Sequence, residues 1–590
     1  MVFDGSSEAA GSHRSTTERA ISTSFPGGRS ASFSVRIRQA GGANSIDNFA
    51  RSWQRAACFP EVFPRRSSFA TADSDEGWYP SGGDIIRPQV SPRADLNPSL
   101  TWPFLADNWL AGSRQRDGAG LLESSLGTSY GTMSSRVSES TRKHVIEFHR
   151  QQQTQTEPVD GHGGEPLLVK QVQLDDGTQE NVVVGQSTVP QTVFNSVNVL
   201  IGVGLLSLPL AMKNAGWLLG IIFLLFAAVT TAYTAKVLAK CLDVDRSLVT
   251  YADLAYISFG HHARVVISLL FCLELLGACV ALVVLFADSL HVLFPGISIP
   301  QWQVICGLIL VPLSFVPLRF LSVTSILGIL SCTSIVAIIC VDGFIKPNAP
   351  GSLREPARTY LFPENWGTLP LSFGLVMSPW GGHGVFPNIY RDMRHPYKYG
   401  RSLWVTYIFT YSLDCTMAIL GWMMFGNTIR DEVTANVLTM KEYPQLLSIC
   451  IIAFIAIIPI TKVPLNCRPL VATVEVLCGL EPQADLNTGH TDRTRFIRQM
   501  LRALIRIFVV AIIVGMAIIF PSFDRIMALM GSALCFTICI ILPLAFYLKI
   551  FGKEIGPKER LLDWSLLVVS SVLAVMGTVW ALLPQEMIAL

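Results

Sequence analysis

Apolar segments long enough to cross a membrane fill the chain from residue 190 onward, and they constrain its fold more than any other feature. A bilayer core about 30 Å thick requires roughly 20 apolar residues in a helix. Only 15% of the 590 residues are charged, against about 25% in soluble proteins. We therefore expect an all-α polytopic membrane protein with eleven transmembrane helices, over residues 190–212, 217–240, 264–290, 302–318, 323–341, 369–390, 403–425, 446–463, 504–520, 526–548 and 564–583.

Two of the expected helices are interrupted by closely spaced glycines followed by proline. In the first, Gly202 and Gly204 precede Pro209, and in the second, residues 381–384 (GGHG) precede Pro387. Gly has the lowest helix propensity after Pro, and Pro also removes a backbone donor. The freed amides and carbonyls cannot face hydrocarbon. A pair of such interruptions at corresponding places in two halves indicates the binding site of a transporter.

The two interrupted helices do occupy corresponding places in the expected order of spans. The eleven spans divide into five, five and one, and an interrupted helix opens each set of five. Because five is odd, the second set crosses the membrane inverted, which is the inverted repeat of secondary transporters. Lys and Arg concentrate in the loops after even-numbered spans. Such loops face the cytosol, which predicts a cytosolic N-terminus and a C-terminus on the opposite, lumenal side.

An interrupted helix exposes free amides at the start of one half and free carbonyls at the end of the other. The amides suit a carboxylate and the carbonyls suit an ammonium group, so a break matches both ends of an amino-acid backbone. A single Gly more often serves tight helix packing, but two matched breaks favour a transport site. We predict that the substrate site consists of Asn195, Asn198, Gly202, Val203, Gly204, Leu205, Trp380, Gly381, Gly382, His383 and Gly384.

Four ionisable side chains within the expected spans are candidates for proton coupling, because such residues mark ion and proton pathways in membranes. Glu274 and Asp414 lie near mid-membrane, His383 lies in the second break, and Lys462 lies near the cytosolic end of its helix. Buried carboxylic acids can carry protons, and histidine titrates near neutral pH. Two alternatives stay open: Lys462 could extend to the membrane interface, and Glu274 could be a hydrogen-bonded structural group.

The first 165 residues are polar and rich in Ser, Gly, Arg, Gln and Pro. Such a composition buries too little apolar surface to offset chain entropy, which predicts a disordered cytosolic tail over residues 1–165. Within it, residues 65–69 (RRSSF) form a pattern that a basic-directed kinase would recognise. In a Ser-rich tail, a chance neighbourhood of Arg and Ser is the preferred interpretation.

Between the polar tail and the first span, the sequence changes to alternating apolar and polar residues. Residues 166–189 alternate on both sides of Asp176-Gly177, which is a strong hairpin signal. Ser187 and Thr188 then offer a helix cap directly before a proline. We expect this hairpin-like segment to lie over the cytosolic opening, and residues 190–590 to form the transporter domain.

Several other classes of protein are disfavoured. We find no nucleophile–base set, metal cluster or phosphate loop, which argues against an enzyme. A channel is disfavoured because no ring of like charge or filter-like repeat is present. The net charge of +2 gives no indication of a nucleic-acid partner. We expect no metal and no cofactor, and we expect amino acids, protons and membrane lipid as the partners, with the proton gradient as driving force.

Six short motifs resemble those of the amino acid/auxin permease family, and their combination is most similar to fungal vacuolar amino acid transporters of the importer type. The similarity is clear over residues 186–480 and looser beyond. The motifs are residues 191–209 (QTVFNSVNVLIGVGLLSLP), 251–254 (YADL), 285–290 (LFADSL), 380–388 (WGGHGVFPN), 392–396 (DMRHP) and 462–469 (KVPLNCRP).

The resemblance implies a LeuT-like fold of the APC superfamily, with a five-helix inverted repeat plus one extra helix. It also implies a secondary transporter that exchanges neutral amino acids for protons at the vacuolar membrane and loads the lumen. Two alternatives stay open. One is proton symport, as export from the vacuole or uptake at the plasma membrane, and the other is a transporter-like sensor of amino acids that signals through its tail.

Overall fold

The computed structural model of the chain describes residues 46–56, 69–71, 137–153, 167–173, 179–183, 185–245, 247–478, 480, 492–552 and 554–584. Helices dominate these residues, and three short strands accompany them. The Arg and Ser residues of the kinase-type pattern, 65–68, lie outside the described residues.

Two helices occur in the tail that composition predicts to be disordered, α1 (Ile46–Ala56) and α2 (Glu139–Gln153). Trp53 of α1 is buried, and the ring of Phe148 in α2 lies 5.9 Å from that of Tyr256. These two segments are helical in the structure, although the composition of the tail predicts disorder. The apolar surface that they bury belongs to distant parts of the chain, so local composition does not reveal it.

A small sheet precedes the first membrane helix, and its strands are β1 (Phe69–Thr71), β2 (Leu167–Gln173) and β3 (Gln179–Val183). β1 pairs with β2 in parallel, and β2 pairs with β3 antiparallel, with Val169 opposite Val183. Residues 174–178, which include the expected Asp-Gly turn, lie outside the described residues. The sheet therefore connects a short part of the tail with the chain that leads into the membrane.

The rest of the described chain is helical. Its helices are α3 (Val189–Leu200), α4 (Leu208–Leu242), α5 (Tyr251–Phe259), α6 (His261–Leu293), α7 (Ile299–Leu313), α8 (Leu318–Ile345), α9 (Leu369–Met377), α10 (Phe386–Arg391), α11 (Tyr399–Phe425), α12 (Val433–Thr439), α13 (Gln445–Leu477), α14 (Asp492–Ile519), α15 (Phe523–Leu529), α16 (Leu542–Phe551) and α17 (Pro557–Leu582). A π-helical segment, Met530–Ile541, joins α15 to α16.

Eight helical stretches among the described residues are long and apolar enough to cross a membrane. The three remaining expected spans are the two interrupted ones and the fourth, which is the 15-residue apolar helix α7. Large apolar side chains project from the outer faces of the bundle, as lipid contact requires; Leu308 is 69% exposed and Trp404 is 65% exposed. The chain is therefore a multi-pass membrane protein whose membrane part is all-helical.

Local sequence explains where several helices begin and end. The cap of α3 is Thr188, whose amide donates to Gln191 Oε1 at 2.9 Å. α7 begins three residues earlier than expected, because the Ser298 amide donates to Gln301 Oε1 at 2.9 Å and caps it there. At Gly216, φ is +73° and α4 turns sharply. The first two expected spans meet at this turn.

Candidate functional site

The first interruption lies between α3 and α4. Ile201 and Gly202 have extended backbone, and a single 3-10 turn, Val203–Ser207, follows them before α4 begins. Val203, Gly204 and Leu205 are buried in this turn. The backbone amides at the start of the turn and the carbonyls at the end of α3 therefore lie inside the protein, as the paired Gly pattern predicts.

The second interruption lies between α9 and α10. A 3-10 turn, Ser378–Trp380, ends α9, and Gly381 to Val385 form no helix before α10 begins at Phe386. Trp380 is fully buried, and its ring stacks on that of Tyr407 in α11 with centroids 5.5 Å apart and planes 11° apart. The second break therefore has one aromatic wall.

The two breaks touch each other. A Cβ added at Gly204 would lie 2.9 Å from both Ser378 Oγ and Pro379 N, and one added at Gly382 would lie 2.9 Å from Leu200 Cδ2. A Cβ at Gly202 would meet no atom within 4 Å. Gly204 and Gly382 therefore permit the close approach of the breaks, whereas Gly202 borders open space beside them.

Glu274 of α6 faces the second break. A Cβ added at Gly381 would lie 2.8 Å from Glu274 Oε1 and 3.0 Å from Cys535 Sγ. The Cys535 thiol, on the π-helical segment, donates to the same carboxylate oxygen at 3.8 Å. Gly384 packs instead on Phe271 of α6, whose ring carbon Cε2 lies 2.5 Å from the place of a Cβ. One face of α6 thus supplies both a carboxylate and an aromatic ring to this break.

Lys462 of α13 occupies the carbonyl end of α3. Its Nζ donates to Asn198 O at 3.1 Å and also to Ile201 O. The ammonium group therefore bonds to the carbonyls that the end of α3 leaves without helical partners. In this structure the Lys462 side chain therefore points to the first break and does not extend to the membrane interface. Asn198 is itself buried, and its side-chain Nδ2 finds no partner among the described residues.

His383 points away from the contact between the breaks. Its Nε2 lies 3.0 Å from Thr234 Oγ1 and 3.1 Å from Thr231 O, both on α4. The Thr234 hydroxyl also donates to Cys539 O of the π-helical segment at 2.7 Å. The imidazole, which is fully buried, therefore binds the second break to α4, and Thr234 extends the contact to the π-helical segment.

Asp414 and Asn195 are buried in α11 and α3, outside the two interrupted segments. Asp414 is buried on α11, and its Oδ2 has no hydrogen-bond partner among the described residues. Asn195 Nδ2 donates to Ser52 Oγ of α1 at 2.7 Å. The structure thus gives Asn195 a partner in the tail, where the sequence predicts a substrate contact.

Four side chains that lie around the second break are not predicted from the sequence. Tyr407 stacks on Trp380, Cys535 donates to Glu274, Cys539 Sγ donates to Trp380 O at 3.4 Å, and Thr234 contacts the imidazole of the second break. Each is a polar or aromatic residue inside an otherwise apolar span. That signal is too common to single them out, because many spans carry such residues.

These features define a polytopic membrane protein built around two interrupted helices in contact. The model of the family described as transmembrane amino acid transporter protein matches residues 185–583, and the chain belongs to this family. Membership confirms the resemblance to amino acid permeases. The relatives found are amino acid transporters, so the expectation that the chain is not an enzyme is also confirmed.

Two similar proteins come from Arabidopsis thaliana. Amino acid transporter AVT1B is 30% identical over 417 residues, which cover 68% of this chain and 72% of that protein. Amino acid transporter AVT1I is 30% identical over 416 residues, which cover 68% of this chain and 95% of that protein. The vesicular inhibitory amino acid transporter of Xenopus tropicalis is 24% identical, and the match covers 66% of this chain and 75% of that protein.

Proposed function

We propose that the protein is a secondary active transporter that moves neutral amino acids into the vacuole by proton antiport. Family membership supports an amino acid substrate, and the names of the relatives agree with it. The vacuolar location and the neutral class of substrate are inferred from the resemblance of the motifs to those of importer-type vacuolar transporters. The contact between the two breaks, at Gly204 and Ser378, is the observation that carries the proposal.

The proposed architecture has eleven spans, arranged as two inverted sets of five helices and one extra helix. The interrupted helix α3–α4 opens the first set, and the interrupted helix α9–α10 opens the second. The eight long helices, the short apolar helix α7 and the two interrupted ones support this number of spans. The distribution of Lys and Arg supports a cytosolic N-terminus and a lumenal C-terminus.

The proposed substrate site lies where the two breaks meet, in the open space beside Gly202. The amides of the turn that begins at Val203 suit the carboxylate of an amino acid, because they start a helical segment and carry its positive dipole end. Trp380 and Tyr407 form an apolar wall that suits an uncharged side chain. In this proposal Gly204 and Gly382 keep the walls in contact without touching the substrate.

Glu274 is the group that best fits proton coupling in this arrangement. Its carboxylate lies beside Gly381, within reach of a substrate ammonium at the breaks. A carboxylate that binds either an ammonium group or a proton, but not both, produces obligatory exchange of the two. That competition favours antiport over symport, since symport requires the two ligands to bind together.

Lys462 is proposed to be a fixed internal cation. Its ammonium group bonds to the carbonyls of Asn198 and Ile201, and those carbonyls would otherwise be free to bind a mobile cation. Neutralising the end of α3 with a resident charge leaves the proton as the only coupling ion that the site requires. His383 and Asp414 are less favoured coupling groups, because the His383 imidazole is bonded to α4 and Asp414 lies on α11, outside the interrupted segments.

Purified full-length protein in liposomes tests this function. With an acid interior, labelled neutral amino acids should accumulate inside against their own gradient, and an uncoupler should abolish the accumulation. Accumulation only with an acid exterior would show symport, and absence of flux for a full panel of amino acids would contradict the transporter itself. Liposomes that contain the Gly204→Leu protein measure the background uptake, which does not depend on a working substrate site.

A further inference from the structure

The tail helix α1 packs against three membrane helices at one end of the bundle. It contacts α3 and α10, which are the half-helices on one side of the two breaks, and it also contacts α8. Trp53 is buried there, and the ring of Phe49 packs edge-on against that of Phe194 in α3 at 5.3 Å. In the proposed orientation this end of the bundle faces the cytosol.

A buried ion pair anchors α1 to the chain that follows the second interrupted helix. Arg55 Nε donates to Asp392 Oδ1 at 2.7 Å, and the two side chains are 5% and 1% exposed. Removing one partner of such a pair leaves an uncompensated buried charge, so either substitution destabilises the contact strongly. Burial raises the pKa of Asp392, and the positive charge of Arg55 is the largest of the effects that oppose this rise.

Hydroxyl groups extend this contact to the start of the first interrupted helix. Ser52 Oγ lies 2.5 Å from Ser187 Oγ and accepts from Asn195 Nδ2 at 2.7 Å. The Ser187 hydroxyl also donates to Asp392 Oδ2. One buried network therefore joins α1, the residue before the cap of α3, and the residue after α10.

The position of α1 restrains the parts of the site that a carrier has to move. The breaks separate α3 and α10 from the helices that continue them, and in the proposed transport cycle these half-helices are the parts that move. α1 links both of them to each other and to α8. It is also tethered close by, because β1 follows it in the chain and pairs with β2, and β3 leads into α3. Such a tether raises the effective concentration of the segment at its site.

We propose that residues 46–56 are a built-in plug that closes the cytosolic entrance to the substrate site, and that transport from the cytosol requires its release. The inference rests on the proposed transport function and on the proposed orientation. The occupant of this entrance is a segment of the chain itself, held by the Arg55–Asp392 pair and by Ser52.

Two variants of the full-length protein test the plug. Arg55→Ala removes the ion pair. Ser52→Asp places a second carboxylate beside the Ser187 hydroxyl that bonds to Asp392, so that two like charges share one buried network. Both variants should raise the initial rate of uptake from the cytosolic face several-fold, with an unchanged pH optimum. In both, amide hydrogen exchange over residues 46–56 should become faster. Arg142→Ala is the matched control, because Arg142 is exposed on α2 and its loss should change neither quantity.

The outcomes separate the plug from the transport function. If the parent protein shows no flux, the proposed function fails, while hydrogen exchange still reports whether α1 is bound. Faster exchange over residues 46–56 without faster uptake would overturn the plug. Unchanged exchange in both variants would overturn it as well, as would a loss of uptake in proteins that remain folded by thermal unfolding, because α1 would then assist transport.

Discussion

The two breaks share a Gly-and-Pro pattern, yet their surroundings differ. At the first, Gly202 borders open space, and the carbonyls before it bind the ammonium group of Lys462. At the second, Trp380 and His383 are fully buried and are fixed to neighbouring helices. The second break is thus part of the packed scaffold, whereas the first combines open space at Gly202 with a fixed positive charge.

This difference suggests a division of labour within one site. An anionic group of a ligand suits the first break, where amides and a lysine lie close together. A cationic group suits the second, where Glu274 lies beside Gly381. An amino acid has both groups, so it can bridge the two breaks, and neither break alone satisfies it. The following variants test this comparison.

Gly204→Leu should have the largest effect, because the contact between the breaks leaves no room for a side chain. We expect uptake to fall about 100-fold or more, as a misplacement of about 1 Å at a reacting site does, while the protein still reaches the membrane. Gly515→Leu is the matched control, because a Cβ at Gly515 meets nothing within 4 Å. Parent-like uptake by the Gly204 variant would contradict a site at this contact.

Lys462→Met should reduce uptake roughly 30-fold, since the lost charged hydrogen bonds are worth about 2 kcal/mol. The change leaves the carbonyls of Asn198 and Ile201 without their donor. Initial rates at saturating amino acid measure the effect. Lys240→Met removes a lysine whose ammonium pairs with the partly exposed Glu559 and should have little effect. Equal rates for both variants would refute a specific role at the first break.

Glu274→Gln should uncouple transport from protons more than it weakens binding. We expect the proton-driven accumulation of amino acid to disappear, while exchange of labelled for unlabelled amino acid continues at a similar order of magnitude. Glu559→Gln serves as the control for loss of a carboxylate elsewhere. A variant whose accumulation depends on pH as the parent's does would show that Glu274 is structural.

His383→Leu should have the smallest effect on transport and act on stability instead. It removes hydrogen bonds to Thr231 and Thr234, which should lower the unfolding free energy by roughly 1–3 kcal/mol. His383→Gln retains a donor and should restore much of it. Thermal unfolding in detergent measures the difference. A shifted pH dependence of transport in the Gln variant would instead assign the proton to His383.

Sequence patterns predict the membrane part of this molecule far better than its tail. Spans follow from apolar length, and the breaks follow from Gly and Pro, because both are local properties of the chain. The position of α1 depends on Arg55 meeting Asp392, more than three hundred residues later in the chain, and no local pattern predicts such a pair. The same limit explains why Asn195 is predicted at the substrate site, although it contacts Ser52.

The most direct test of the central claim, that the two breaks form one amino-acid site, is an experimental structure of the purified protein with a transported amino acid bound. We predict its carboxylate within hydrogen-bond distance of the amides that begin at Val203, its ammonium group near Glu274, and its side chain against Trp380. A ligand bound elsewhere in the bundle, with the breaks still in contact and empty, would contradict the claim.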